Sequence, residues 1–336
     1  MTTVASVRAA PSPTSALPDV AVLSALADAM AAAEAFEGAT APNPPVGCVI
    51  LDSEGRELAR AAHQKAGEAH AEAGALAKVR AAGLEARIHA FVVTLEPCNH
   101  HGRTAPCAEA ILSTPAREVW IGAMDPNPQV AGGGAARLRA AGLKVGLVGD
   151  LGGDGPALAA RCRRLIAPFL TLAREGRPFI TLKRALDPAG SMIPPPGRKT
   201  FTSEASLTLA HRLRRRADAI VTGSGTILAD DPAFTVRRVP DHPGKRRILA
   251  ILDRRRRTPE RYLDAARTRG FEPILADDLD ALIADLGARG VMEALVEAGP
   301  TLSEAIMSRD LWDEQVTIRQ ARGARDEVQV QLRWEI

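Results

Sequence analysis

A chain of 336 residues is too long for one ordinary core, and at roughly 150 residues per domain it reads as two. With 46% apolar and 25% charged residues it has a globular balance, while 3% aromatics leave the core to Ala, Leu, Val and Ile, which argues against an aromatic-paired sandwich and for α/β. The net charge of +3 hides an asymmetry: residues 1–150 hold 12 basic and 15 acidic side chains and make no electrostatic trap for nucleic acid, whereas residues 151–336 hold 31 and 25, a surplus suited to phosphorylated small molecules or to a merely solvated surface. No run approaches the ~18 apolar residues of a membrane span. Four cysteines in this length make no disulfide framework, so a reducing cytoplasm is expected, with cysteines serving a metal or catalysis.

Residues 1–18, rich in Ala, Pro, Ser and Thr, read as a disordered lead-in. An Ala-rich helix follows over 17–36, then a strand over 46–51 and a helix over 70–82 closed by Gly83. Further on come a strand at 91–95, a helix start at 107–112, a strand at 118–123, a helix at 135–141 and a strand at 143–148. A polar Gly/Pro stretch at 173–178 marks a boundary, giving domains over 19–173 and 177–336. Beyond it, strands are expected at 178–182, 219–222, 247–252 and 291–296. A helix at 203–215 is capped by Ser203, with Ala205, Leu209 and Leu213 on its inner face. Another at 277–288 buries Leu279, Leu282, Ile283 and Leu286. The segments 316–318 and 328–334 alternate like edge strands. Strands alternating with helices imply layered α/β domains with largely parallel sheets.

The informative chemistry lies in the first half. His70-Ala71-Glu72 opens a helix, Pro97-Cys98 follows a strand, and Cys107 follows Pro106 at a helix start. One imidazole and two thiolates suit Zn²⁺, and three protein ligands leave the fourth tetrahedral position open, as in catalytic zinc sites. Helix N-termini favour both thiolates. Glu72, two residues past His70, is placed beside the metal without having to coordinate it, where a carboxylate can carry a proton from water to a leaving nitrogen. Zinc deaminases of nucleic-acid bases use His-x-Glu followed by Pro-Cys-x-x-Cys, with the Glu free of the metal. Here eight residues separate the cysteines, which moves the reading away from those enzymes. The rival is a closed structural zinc with His100 or His101 as fourth ligand. Cys48, inside a strand, and Cys162, on an Arg-rich helix, read as structural, His89 and His211 as ordinary residues, and Arg254–Arg257 as a solvated turn.

These residues sit in longer runs. Asn43-Pro44-Pro45-Val46-Gly47, the stretch from His63 to Glu72, the stretch from Thr94 to Cys107, and Asp125-Pro126-Asn127-Pro128 together resemble the bifunctional riboflavin-biosynthesis pyrimidine deaminase/reductase family. The resemblance implies a cytidine-deaminase-like three-layer fold and hydrolytic deamination of 2,5-diamino-6-(5-phosphoribosylamino)pyrimidin-4-one. It implies zinc on His70, Cys98 and Cys107, proton transfer by Glu72, pyrimidine contacts from Asn43 and His63, and ribose and phosphate contacts from His100, Arg103, Asp125 and Asn127. The second half resembles the family's dihydrofolate-reductase-like domain through Thr181-Leu182-Lys183, Gly223-Ser224-Gly225-Thr226, Ala229-Asp230-Asp231-Pro232 and Glu297-Ala298-Gly299-Pro300. This implies NADPH at Lys183, Thr226, Asp230 and Gly299, substrate at Arg214, Arg237 and Glu297, and a homodimer. The half also departs from the pattern. Asp187-Pro188-Ala189-Gly190 replaces the family's Ser-Leu-Asp-Gly turn, Pro194-Pro195-Pro196 stands where a cofactor loop is expected, and the C-terminal strands look shortened after Trp312. Proline fixes φ and removes donors, so two expectations stand: reduction of the ribosyl side chain, or a deaminase with a degenerate reductase domain that feeds riboflavin or a related flavin- or pteridine-like pathway.

Overall fold

The computed structural model describes residues 16–99, 106–125, 133–195, 197–198, 200–321 and 325–333. Strands β1 (Gly47–Leu51), β2 (Glu57–Ala62), β3 (Ala90–Leu95), β4 (Glu118–Ala123) and β5 (Lys144–Leu147) form one sheet in the order β2-β1-β3-β4-β5. The expected parallel pairing holds for β3-β4-β5 only, because β1 runs antiparallel to both β2 and β3. β2 escaped the sequence reading: it is a short edge strand broken by Glu57 and Arg60, whereas β1, β3 and β4 are buried along their whole length. Helices α1 (Asp19–Glu34) and α5 (Gly155–Glu175) cover one face, and α2 (Ala71–Ala81), α3 (Cys107–Leu112) and α4 (Gly133–Ala140) the other. These are the three layers the sequence implied. Covering both faces is why the central strands are continuous apolar runs.

α5 ends at Gly176 in a left-handed cap (φ 67°), and the chain turns into the second sheet. Its strands are β6 (Phe179–Leu186), β7 (Ala219–Gly223), β8 (Arg247–Leu252), β9 (Phe271–Ala276), β10 (Glu293–Val296), β11 (Glu314–Arg319) and β12 (Glu327–Leu332). They lie in the order β12-β11-β6-β10-β7-β8-β9, all parallel except β11 with β12. Both strands after Trp312 therefore form, and 316–318 lies inside the sheet rather than at its edge, with β12 taking the edge. Helices α9 (Leu279–Ala288) and α10 (Pro300–Ser308) pack on one face, and α6 (Glu204–Arg216), α7 (Ser224–Asp230) and α8 (Glu260–Thr268) on the other. Ser203 caps α6 as expected, its side chain accepting from Ser206 N–H. The inner face of α6 is Ser206, Ala210, His211 and Leu213, and Ala205 is exposed. The rotation follows from Ser206, whose hydroxyl donates to Asp326 at 2.6 Å and draws that side inward. α8 and β9 escaped the reading because α8 buries only Tyr262, Leu263 and Ala266, and β9 carries Pro273.

Charged pairs fasten the two sheets together. Arg164 of α5 forks onto Glu314 of β11 at 2.8–3.0 Å, and Arg216 of α6 lies against Glu314 and, at 2.7 Å, Glu293. Burial works against the Glu314 charge, yet Arg216 and Arg164 hold its pKa down to about 2. Among the described residues no helix is long and apolar enough to cross a membrane.

Candidate functional site

Three strand- or loop-to-helix junctions meet on the α2–α3 side of the first sheet. His70 is the N-cap of α2, Cys98 follows β3, and Cys107 is the first residue of α3. His70 Nδ1 lies 3.6 Å from Cys98 Sγ and 3.3 Å from Cys107 Sγ, and the three donor atoms lie within 4.8 Å of one another. A tetrahedral zinc with Zn–N near 2.0 Å and Zn–S near 2.3 Å needs N···S edges of about 3.6 Å, so one ion fits this donor set without rearrangement. Cys107 N–H donates to Cys98 Sγ at 3.3 Å. A hydrogen bond from the Cys107 side chain, with others from His70 and that N–H, pulls the Cys98 pKa well below the ordinary thiol value against the opposing cost of burial.

Glu72 sits in the first turn of α2, only 3% exposed. Burial pushes its pKa up; its own backbone N–H opposes this, and the Cys98 charge adds to it. A carboxylate that is reluctant to stay ionised is what a proton carrier needs. His63, at the end of β2, is buried and meets His70 edge-to-face with ring centroids 5.5 Å apart. Its Nδ1 lies 3.1 Å from Ala69 O, which can only accept, so Nδ1 carries the proton and Nε2 accepts from Asn43 Nδ2 at 3.2 Å. Burial lowers the His63 pKa and keeps the ring neutral. The structure thus brings Asn43, His63, His70, Glu72, Cys98 and Cys107 together. Asp125 lies just past β4, while His100, Arg103 and Asn127, and the rival ligand His101, lie outside the described residues.

Sequence reasoning missed Glu96. It is buried directly before Pro97-Cys98, and its carboxylate accepts from Asp125 N–H at 3.2 Å and Ala135 N–H at 2.9 Å. It holds both ends of the segment between β4 and α4 against the strand that delivers Cys98. Gly134 belongs to the same junction: a Cβ there would stand 1.8 Å from Pro97 O. The sequence offered only the place of this carboxylate, at the end of an apolar strand directly before Pro97-Cys98.

In the second half the expected residues gather at the C-terminal ends of β6, β7 and β10, where open parallel sheets bind ligands. Glu297, just past β10, is forked by Arg214 through Nε and Nη2, both at 2.7 Å, with Lys183 Nζ at 3.5 Å. Although burial raises its pKa, Lys183 and Arg214 hold it down to about 2. Arg214 Nη1 also donates to Thr235 O at 3.3 Å, so the guanidinium expected on substrate is largely committed to protein partners. Gly299 N–H, at the N-cap of α10, donates to Thr226 Oγ1 at 3.0 Å, which ties α7 to α10. Asp230, the last residue of α7, and Arg237 are exposed. A cavity of about 510 Å³ opens beside α10, lined by Arg184, Ser191, Met192, Thr301, Glu304 and Met307. Its loop begins with a compact turn in which Asp187 Oδ1 accepts from Ala189 N–H and Ser191 N–H, both at 2.8 Å. The Arg254–Arg257 stretch is an exposed turn after β8, with Arg257 reaching Ser224 Oγ at 3.4 Å.

Comparison with known proteins matches the same two halves. Residues 23–123 fit the cytidine and deoxycytidylate deaminase zinc-binding region, and residues 190–319 fit the RibD C-terminal domain. The chain is 40% identical to riboflavin biosynthesis protein RibD of Aquifex aeolicus over 67% of this chain and 60% of that protein. It is 34% identical to RibD of Escherichia coli K12 over 86% and 84%. The structure aligns at a TM-score of 0.74 and 25% identity with a diaminohydroxyphosphoribosylaminopyrimidine deaminase/5-amino-6-(5-phosphoribosylamino)uracil reductase of Thermotoga maritima, over 92% of this chain and 90% of that one. With a zinc-binding deaminase region before a RibD C-terminal domain, and this identity along most of its length, the chain belongs to the RibD family of riboflavin biosynthesis proteins.

Proposed function

We propose that the chain is a cytoplasmic bifunctional enzyme that deaminates 2,5-diamino-6-(5-phosphoribosylamino)pyrimidin-4-one and then reduces the ribosyl side chain with NADPH. The observation that carries this reading is the convergence of His70, Cys98 and Cys107 beside the buried Glu72. His70 Nδ1 and the two thiolates would hold zinc, which would supply the Lewis acidity that makes a water nucleophilic near neutral pH. Glu72 takes the proton of the attacking water and delivers it to the departing amine, a transfer its raised pKa favours. Asn43, oriented by its hydrogen bond to neutral His63, presents an amide edge that can donate to and accept from the pyrimidine. The segment held by Glu96, with Asp125 at its start, takes the ribose, and Arg103 the phosphate.

In the second half the cavity beside α10 accommodates NADPH, with Thr226, Asp230, Gly299 and Lys183 as the cofactor contacts that the family resemblance implies. Arg184 lines this cavity and supplies a guanidinium for the phosphates. Glu297, held ionised by Arg214 and Lys183, faces the substrate, and Arg237 binds its phosphate. Incubating the pure protein with the pyrimidine, with and without NADPH, tests both steps: ammonia release alone without NADPH, and a reduced ribitylamino product with it. One observation favours a second reading. Pro194 and Pro195 fix φ and offer no N–H donor where a cofactor loop is expected. If NADPH changed nothing in the product, the degenerate-reductase reading would stand.

A further inference from the structure

His211 lies one turn before Arg214 on α6 and is buried. Its Nδ1 is 2.9 Å from the backbone N of Arg237. An amide N–H only donates, so Nδ1 is the bare nitrogen and the ring proton sits on Nε2. From the same helix, Arg214 donates to Thr235 O. Two side chains of α6 therefore grip the segment 235–237, one by a backbone donor and one by a backbone acceptor. The segment is reached through two left-handed residues, Asp231 (φ 42°) and Phe234 (φ 53°). A phenylalanine at positive φ persists only where its surroundings impose it, and such imposed shapes cluster at binding sites. Here Phe234 is buried, and Tyr262 Oη donates to Pro232 O at 2.6 Å. The Arg237 guanidinium donates to Thr235 Oγ1 at 2.7 Å, within the same short stretch.

We infer that His211 is a positioning residue of the reductase half: as a neutral acceptor it fixes the Arg237 backbone and so aims that guanidinium at the phosphate of the substrate. The inference rests on the reading of Arg237 as a phosphate ligand. Burial, with Arg214 and Arg237 nearby, keeps the ring neutral, its pKa down at about 4.

The test is NADPH-dependent reduction by the full zinc-loaded chain, using the deaminated pyrimidine with and without its 5′-phosphate, in the wild type and three variants. His211→Leu keeps the bulk and removes the acceptor. It should raise KM for the phosphorylated substrate about fivefold to tenfold, with kcat within about twofold of wild type. KM for the dephosphorylated substrate should not move. His211→Asn places Oδ1 where Nδ1 stood and should restore KM. The deamination rate should stay constant throughout, which reports an intact first half, and the unchanged KM for the dephosphorylated substrate reports an intact second half. The inference is overturned alone if Arg237→Ala raises KM while His211→Leu does not, or if His211→Leu affects both substrates equally, as a merely structural residue would. If Arg237→Ala leaves KM unchanged, or the wild type reduces nothing, the reading beneath it falls and takes the inference with it.

Discussion

In the first half the reactive groups face one another directly: His70 Nδ1 meets two sulfurs within 3.6 Å, and Glu72 stands beside them, with no salt bridge to Lys or Arg among the described residues. In the second half several groups expected at the ligand are tied to each other: Glu297 pairs with Arg214 and Lys183, and the Thr226 hydroxyl accepts from Gly299 N–H. A metal centre concentrates soft donors at a point because one ion will compensate them all. An organic-ligand crevice has no such single counter-charge, so its buried charges must be paired within the protein. Loss of an ion should therefore empty the first site of function, whereas changes at the second should cost stability as well as activity.

The sharpest break comes from the metal. Cys98→Ser or prolonged chelation should abolish ammonia release while reduction of an already deaminated substrate continues, read by metal analysis and paired assays. Glu72→Gln should keep one zinc per chain and lower deamination turnover by on the order of 10²- to 10⁴-fold. A variant that stayed active would remove the proton-carrier role. On the other side, Arg214→Met strands the buried Glu297 charge. It should destabilise the second half by about 3 kcal/mol in a denaturant titration, towards the low end for such breaks because Lys183 remains at 3.5 Å. Gly134→Ala sharpens the first side again: its Cβ would meet Pro97 O, and a cost of about 1–3 kcal/mol with a selective loss of deamination is expected. The smallest effect is the acid response of His211. Its folded pKa, about 4, lies below the ordinary value of about 6.5, so the unfolded chain takes up the proton first as pH falls. Stability of the second half should decline between those two values. Arg214, Arg237 and Arg238 oppose the charge and Glu297 favours it, and His211→Asn should flatten the decline.

The metal set was legible because its residue types are scarce and sit at junctions. Gly67 and Pro106 mark helix starts at His70 and Cys107, and Pro97 marks the end of the strand that precedes Cys98. The second half was legible only as an approximate list of strands and motifs. Nothing in the spacing of Arg214 and Glu297 shows that they form a fork, since 83 residues separate them. The edge strand β2, the weakly amphipathic α8 and the proline-bearing β9 were missed because local pattern is faint where only one face or a few side chains are buried. On α6, Leu209 and Leu213 face the core as expected, and only Ala205 was misplaced, because the polar Ser206 beside it is drawn in.

The sequence by itself determined the alternation of strands and helices, the two halves and the candidate metal-binding trio, since periodicity, helix caps and donor chemistry are local properties of a chain. Tertiary structure alone decided which charges neutralise one another, that Glu96 holds both ends of the segment after β4, and which nitrogen of His211 is bare. Those outcomes depend on which strands become neighbours in the sheet and on the burial that follows, and burial gives a charge or a tautomer its energetic meaning only once the chain has closed around it.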